Sequence, residues 1–509
     1  MATAMPDEPD REISENTPLL TQAEDEDVVE QEQDPRDLYR TSVLVLCFII
    51  MFLLSFSLNI CTPAWNAIME AIICGELNPE ISDQLTFTDE NPICKGPDVQ
   101  GRLAMLRGWS ATIECIPGIF LAMPLGLLAD KWGRRPVLFL SFLGTFLMFL
   151  WYEVVFLFGW PVWVVLLGPL WMVVGGSSAV GVSMLYTYLA DVSHPDELAS
   201  WLFRFASIFL IGELLATPLS GFLLSFNAWY PLIVGIACFA FSLILILFLP
   251  ETLVIRQWHD AKSGRTPSTS PDRSGEHAKK TKWQKAVELM REQADDITKF
   301  IWGNKRVVLL IFPLVFMILG KFVQELLLQY ATKRYNWTWS RAAYLVTIKS
   351  ASFLILMIAI LPAVSLFCLK VLKMSPMSKD LWLSRWSGVL LVIGALFIAF
   401  AASPFLMAIG LIFMSAGSGY ASLLRSLLNS LVEPHHVATV NTLIGFIDTV
   451  GLMVISPVLS QALRTGVNLG GAWIGLPFMV ASLLFIVSTG IVFAFKLPPQ
   501  PAGRQQQSA

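Results

Sequence analysis

The sequence predicts an all-α membrane protein of about 12 transmembrane helices in two six-helix halves, with both termini cytosolic. Three observations carry that expectation. Hydrophobic residues make up 55% of the 509-residue chain and charged residues 15%, with a mean hydropathy of +0.62; soluble domains average about 25% charged residues. Apolar runs recur at the length of about 20 residues that a helix needs to cross a bilayer. A polar stretch, 251–306, separates six such runs from six more.

Residues 1–40 read as a disordered acidic cytosolic tail, with few large apolar residues and no apolar core for a cleavable leader. The N-terminal half, 41–250, holds apolar runs near 41–63, 107–129, 136–158, 163–189, 200–226 and 229–249. The central loop, 251–306, opens with the low-complexity stretch Gly264 to Pro271, which reads as a flexible linker. From Lys279 to Phe300, Trp283, Val287, Met290, Ala294 and Ile297 recur at helical spacing. Either an amphipathic helix on the membrane surface or a solvated linker helix fits them. The C-terminal half, 307–496, holds runs near 307–330, 342–369, 383–402, 405–431, 437–463 and 473–495, before a short cytosolic tail, 497–509.

Lys and Arg set the orientation. Lys131, Arg134, Arg135, the basic central loop, Lys370, Lys373 and Lys379 fall on one side, and that excess favours N-in, C-in. Lys333, Arg334 and Arg341 are a local exception, in the loop that also holds the glycosylation sequon Asn336-Trp337-Thr338. Cys74 and Cys94 share the long loop after the first run, on the non-cytosolic side, where a disulfide can persist. The other five cysteines lie in or beside apolar runs, where free Cys acts as a small hydrophobe.

Several classes are excluded by what the chain lacks. There is no HExxH, no Ser/His/Asp arrangement and no phosphate-binding loop, so neither an enzyme nor an ATP-driven pump is expected. The five histidines all fall in predicted loops; no metal, cofactor or nucleic acid is implied. A weak internal repeat relates the halves: Gly212 precedes Pro218 by six residues, and Gly451 precedes Pro457 by six. Repeated halves are a recurring plan in secondary transporters.

After the second run comes Gly126-Leu127-Leu128-Ala129-Asp130-Lys131-Trp132-Gly133-Arg134-Arg135. It resembles the G-x-x-x-D-x-x-G-R-R/K signature of the major facilitator superfamily. Pro250-Glu251-Thr252 is similar to that family's ending of the sixth span, and Asp191 to Glu197 to its acidic loop between spans four and five. The resemblance covers 41–495, and its overall look is that of fungal efflux-type members. It implies that Gly126, Asp130, Gly133, Arg134 and Arg135 form a latch between conformational states, the glycines permitting close approach and a sharp turn. It also implies a cavity lined by spans one, four, seven and ten, where Asn59, Tyr186, Gln324 and Tyr420 are candidates beside Ser55, Ser183, Ser418 and Arg425. The second motif copy is degraded, at Ser365 to Lys370, and the antiporter signature of span five survives only as Thr217 to Gly221.

Ionisable residues inside the spans are costly there and mark functional sites. They are Glu114, Glu213, Lys321, Glu325, Lys349, Arg425 and Asp448. Lys321 and Glu325, four apart, are expected on one helix face. Glu213 and Asp448 are expected at similar levels of the two halves. One of the acids would exchange a proton with each side in turn, releasing a contact to Lys321, Lys349 or Arg425; the alternative is a set of structural ion pairs. The cavity's apolar character with scattered polar groups suits an amphipathic organic solute. The expectation is a proton-coupled carrier, an exporter of a secondary metabolite or toxic compound first. Import or vacuolar transport of an organic anion or nutrient comes second, and a non-transporting sensor is the competing class. The acidic dileucine Glu15, Leu19, Leu20 would let a clathrin-type adaptor choose between plasma and vacuolar membranes.

Overall fold

A computed structural model of the chain describes residues 35–80, 92–253, 305–432 and 437–497. The dileucine motif, the stretch from Gly264 to Pro271, the helix expected at Lys279–Phe300, and His435 and His436 lie outside the described residues. Among those described, 12 helices are long and apolar enough to cross a membrane. In the first half they are α1 (Tyr39–Leu77), α2 (Pro97–Trp132), α3 (Arg134–Leu157), α4 (Val162–Val192), α5 (Ser200–Leu224) and α6 (Trp229–Phe248). In the second they are α7 (Val308–Tyr335), α8 (Trp339–Lys370), α9 (Pro376–Ala399), α10 (Pro404–Leu431), α11 (Leu443–Leu469) and α12 (Gly471–Ala494).

Two spans overshoot the expected apolar runs at one end. α1 continues through Pro63 to Leu77 and carries Glu70 and Cys74 beyond the predicted stop. Proline removes one backbone donor, yet neighbouring helices and local adjustment make that tolerable in a bilayer. Pro97, at the first turn where its missing N–H costs nothing, starts α2 ten residues earlier than the apolar pattern. Cys74 and Cys94 are joined in a disulfide that ties the end of α1 to the short 3-10 turn Pro92–Lys95.

Small residues set how closely the helices meet. Gly212 of α5 lies against Ser55 of α1, where an added Cβ would come within 2.8 Å of the serine side chain. Gly451 of α11 lies against Ile318 of α7, with 3.2 Å available. The repeated glycines therefore make equivalent contacts in the two halves.

The halves touch along two seams, α2 with α11 and α5 with α8. In the first, Ser456 donates to the Gly108 carbonyl at 2.8 Å and Thr112 to the Met453 carbonyl at 3.0 Å. In the second, Ser340 donates to the Gly221 carbonyl at 2.6 Å, and the hydroxyls of Thr217 and Thr347 lie 3.1 Å apart. These contacts lie from the middle of the bundle to the end that carries the disulfide. Toward the other end, an added Cβ would meet nothing within 4 Å at Gly126 of α2 or at Gly445 of α11. Gly126 thus makes no close approach in this structure, contrary to the expectation from its motif.

Candidate functional site

Glu213 and Lys349 face each other across the α5–α8 seam, with Lys349 Nζ 2.7 Å from Glu213 Oε1. Their side chains are only 12% and 21% exposed, so each supplies the other with the countercharge that the bilayer interior does not. Gly212 brings this stretch of α5 against α1, and Ser415 of α10 donates to the Lys349 carbonyl at 3.1 Å. A proton on the Glu213 carboxylate would cancel one charge of this bridge between the halves and weaken it.

A second acid cluster lies inside the first half. Glu114 Oε1 accepts from Ser110 at 2.9 Å and from Tyr152 at 3.1 Å. One residue on from Tyr152, Glu153 accepts from Trp65 Nε1 at 3.2 Å, and its other carboxylate oxygen is buried without a hydrogen-bond partner. Arg107, two turns before Glu114, donates to the Glu325 carbonyl of the opposite half at 2.8 Å. Glu153 was open to the same reasoning as the other intramembrane acids, since it too lies within an apolar run; Arg107 and Tyr152 gave no such signal.

The acids Glu213 and Asp448 have different surroundings. Asp448 sits 3.9 Å from Arg425 within the second half, both side chains close to half exposed. Lys321 and Glu325 are exposed, and no ion pair joins them. The reason is local: a 3-10 segment, Phe322–Leu326, follows the α-helix that ends at Lys321. With three residues per turn, positions four apart no longer share a face.

Of the expected cavity residues, Asn59 is half-buried and donates to the Ser55 carbonyl of its own helix at 2.8 Å. Tyr186 is half-buried and packs edge-on to Phe205, 5.1 Å between ring centres. Gln324 is half-buried in the 3-10 segment. Tyr420 lines no cavity: it is fully buried, 2.7 Å from the Ser488 hydroxyl, which donates to the Pro313 carbonyl at 2.7 Å. Its phenol needed a buried partner, and α12 supplies one.

The signature residues cluster where α2 turns into α3. Gly133 has φ +110°, and a Cβ there would sit 2.5 Å from a Glu251 carboxylate oxygen. That carboxylate accepts the backbone N–H groups of Arg134 at 2.8 Å and Arg135 at 3.0 Å, closing the N-terminus of α3. The Arg134 guanidinium lies 3.4 Å from Asp130 and 3.3 Å from Asp191, and Thr252 donates to Asp191 at 3.0 Å. Asn336 is exposed, in the left-handed region at φ +49°, and ends α7. The Thr338 hydroxyl of its sequon accepts from Arg341 N–H and caps α8. Outside the membrane-spanning stretch, Glu197 accepts from Trp201 and pairs with Arg40; both contacts hold its carboxyl below the usual range.

A family model, Major Facilitator Superfamily, matches residues 47–374. Among curated proteins, the MFS efflux pump atnC of Emericella nidulans is 29% identical over 464 residues, 90% of this chain and 88% of that one. The efflux pump ustT of Aspergillus flavus is 30% identical over 441 residues, 84% and 83% of the two chains. Among solved structures, a D-xylose–proton symporter superposes with a TM-score of 0.61 at 12% identity, covering 90% of this chain and 98% of that one. The human organic anion transporter MFSD10 superposes with a TM-score of 0.53 at 16% identity, covering 90% and 100%. At such identities these likenesses bear on the fold alone.

Proposed function

This chain belongs to the major facilitator superfamily, and from that premise we propose that it exports a small organic compound in exchange for protons. It is a multi-pass membrane transporter, not an enzyme. The observation that carries the coupling is the Glu213–Lys349 bridge between the halves. Glu213 takes a proton when it faces the acidic side, the bridge loosens, and the halves rock; the proton leaves on the other side and the bridge re-forms. Export is supported by the names of relatives over most of the chain's length, and the proposed cargo is a secondary metabolite or toxic compound.

The test uses vesicles that hold an imposed proton gradient. A substrate drawn from a panel of amphipathic compounds should dissipate the gradient through the wild type. Glu213→Gln should abolish that proton flux while retaining exchange of labelled for unlabelled compound. Normal gradient-driven transport by a Glu213→Gln, Asp448→Asn double variant would sink the proton-coupling reading.

One observation favours import of an organic anion as a second reading: Lys321 is exposed within α7 and makes no ion pair among the described residues. A deletion strain that accumulates less of an anionic nutrient, rather than becoming sensitive to a compound, would select it. Both termini are proposed to be cytosolic, from Lys131, Arg134 and Arg135. The plasma membrane is the proposed destination, with the vacuolar membrane reached if Glu15, Leu19 and Leu20 engage an adaptor. Alanine at both leucines then relocates the protein. Glycosidase treatment tests Asn336 as an acceptor.

A further inference from the structure

At the disulfide-bearing end, one buried carboxylate gathers groups from both halves. Glu70 is 4% exposed. It pairs with Lys95 at 2.7 Å and accepts from Gln100 Nε2 at 2.8 Å, both of its own half. It also accepts from the indole N–H of Trp339, at the start of α8 in the other half. The Lys95 ammonium sits 5.2 Å from the centre of the Trp339 ring, and the Lys95 carbonyl accepts from Lys333 at the end of α7. Beside them, Gln329 of α7 donates to the Gln100 carbonyl at 2.9 Å. Lys95 ends the turn Pro92–Lys95, whose Cys94 is bonded to Cys74, one helical turn past Glu70 on α1.

We propose that Glu70 is the hub of the gate at this end, and that the Cys74–Cys94 disulfide holds Lys95 in place as the gate's first-half component. A carboxylate stays buried only while donors replace the water it has lost. Trp339 leaves when the halves part at this end, so Glu70 must then be rehydrated. The gate therefore opens as a unit, and the disulfide keeps Glu70, Lys95 and Gln100 assembled to receive Trp339 again. Glu70, Lys95 and Trp339 are positioning residues. The inference rests on the alternating-access part of the proposed function, and its test does not require a known substrate.

The test is amide hydrogen exchange of the full chain in lipid nanodiscs, read over 97–108 and 327–339. Glu70→Gln and Trp339→Phe should each raise exchange there about tenfold, the effect of losing one hydrogen bond to a charged group. Trp339→Phe keeps an aromatic ring in the buried seam but removes the N–H donor together with part of the indole's volume, so it decides the matter, read against the control segment 136–155, if Glu70→Gln fails to accumulate. Reducing the disulfide in the wild type should give the same rise. Exchange over 136–155, inside the first half, should stay constant in each case. Wild-type exchange at both segments in Trp339→Phe would overturn the proposal, as would a rise spread equally over 136–155. Absence of transport by the wild type would refute the proposed function and leave this readout intact.

Discussion

At 2.7 Å in a membrane interior, the Glu213 carboxylate and the Lys349 ammonium are each other's countercharge. Removing one charge leaves the second stranded, so the two single losses should sum to more than the loss in the double variant. Glu213→Gln and Lys349→Gln should each lower unfolding stability in detergent, and the double variant should regain about 1–3 kcal/mol relative to their sum. Strictly additive losses would show that the bridge contributes nothing. Gly133→Ala is a steric case: φ +110° and a Glu251 oxygen at 2.5 Å leave no room for a methyl group. About 1–2 kcal/mol should be lost in the same assay. Glu213, Lys349 and Asp448 were legible as charges inside apolar runs. The bases these acids meet, Lys349 and Arg425, were among the three expected, but which acid meets which was not legible, because Glu213 and Lys349 are joined across a seam between halves, which no local spacing records. Lys321 and Glu325 misled for the opposite reason: the spacing was local, but the helix type changed between them.

Helix number and order were the most legible features, since a run of apolar residues about as long as a bilayer is thick has few other uses. Helix ends were less so. The first run was expected to end near 63, whereas α1 runs through Pro63 and carries Glu70 and Cys74 to the gate. The start of α3 shows a different kind of end. It carries no side-chain cap of its own and takes Glu251, from just after α6, onto the N–H groups of Arg134 and Arg135. A distant acid thus does what a local Asp or Ser does at other helix starts. Glu251→Ala should therefore cost about 1–2 kcal/mol and speed exchange of the first α3 amides. Glu251→Gln, which keeps an acceptor, should recover roughly half. If the alanine variant left those amides unchanged, the cap would carry no weight. Nothing in the spacing of Glu251 and Arg134 points to this contact; only the family resemblance drew both segments out of the sequence.

Across the whole molecule, two seams related by the internal repeat close the disulfide-bearing end, and each depends on a glycine. A Cβ on Gly108 of α2 would come within 2.5 Å of the Ser460 hydroxyl, and one on Gly221 of α5 within 2.8 Å of the Ser340 carbonyl. Packed helices do not deform continuously, so a side chain at either place must part the halves rather than dent them. Gly108→Leu and Gly221→Leu should each populate the conformation open at the disulfide-bearing end. Distances between spin labels on the two halves at that end would register it as a second, longer population. If the halves move as rigid bodies, opening one seam opens the other. The double variant should then show nearly the same distribution as the stronger single one, a coupling that two independent local distortions would not produce. A sum of two separate, smaller displacements would mean that the seams yield one at a time, and that the repeat reflects shared ancestry of the halves without shared motion.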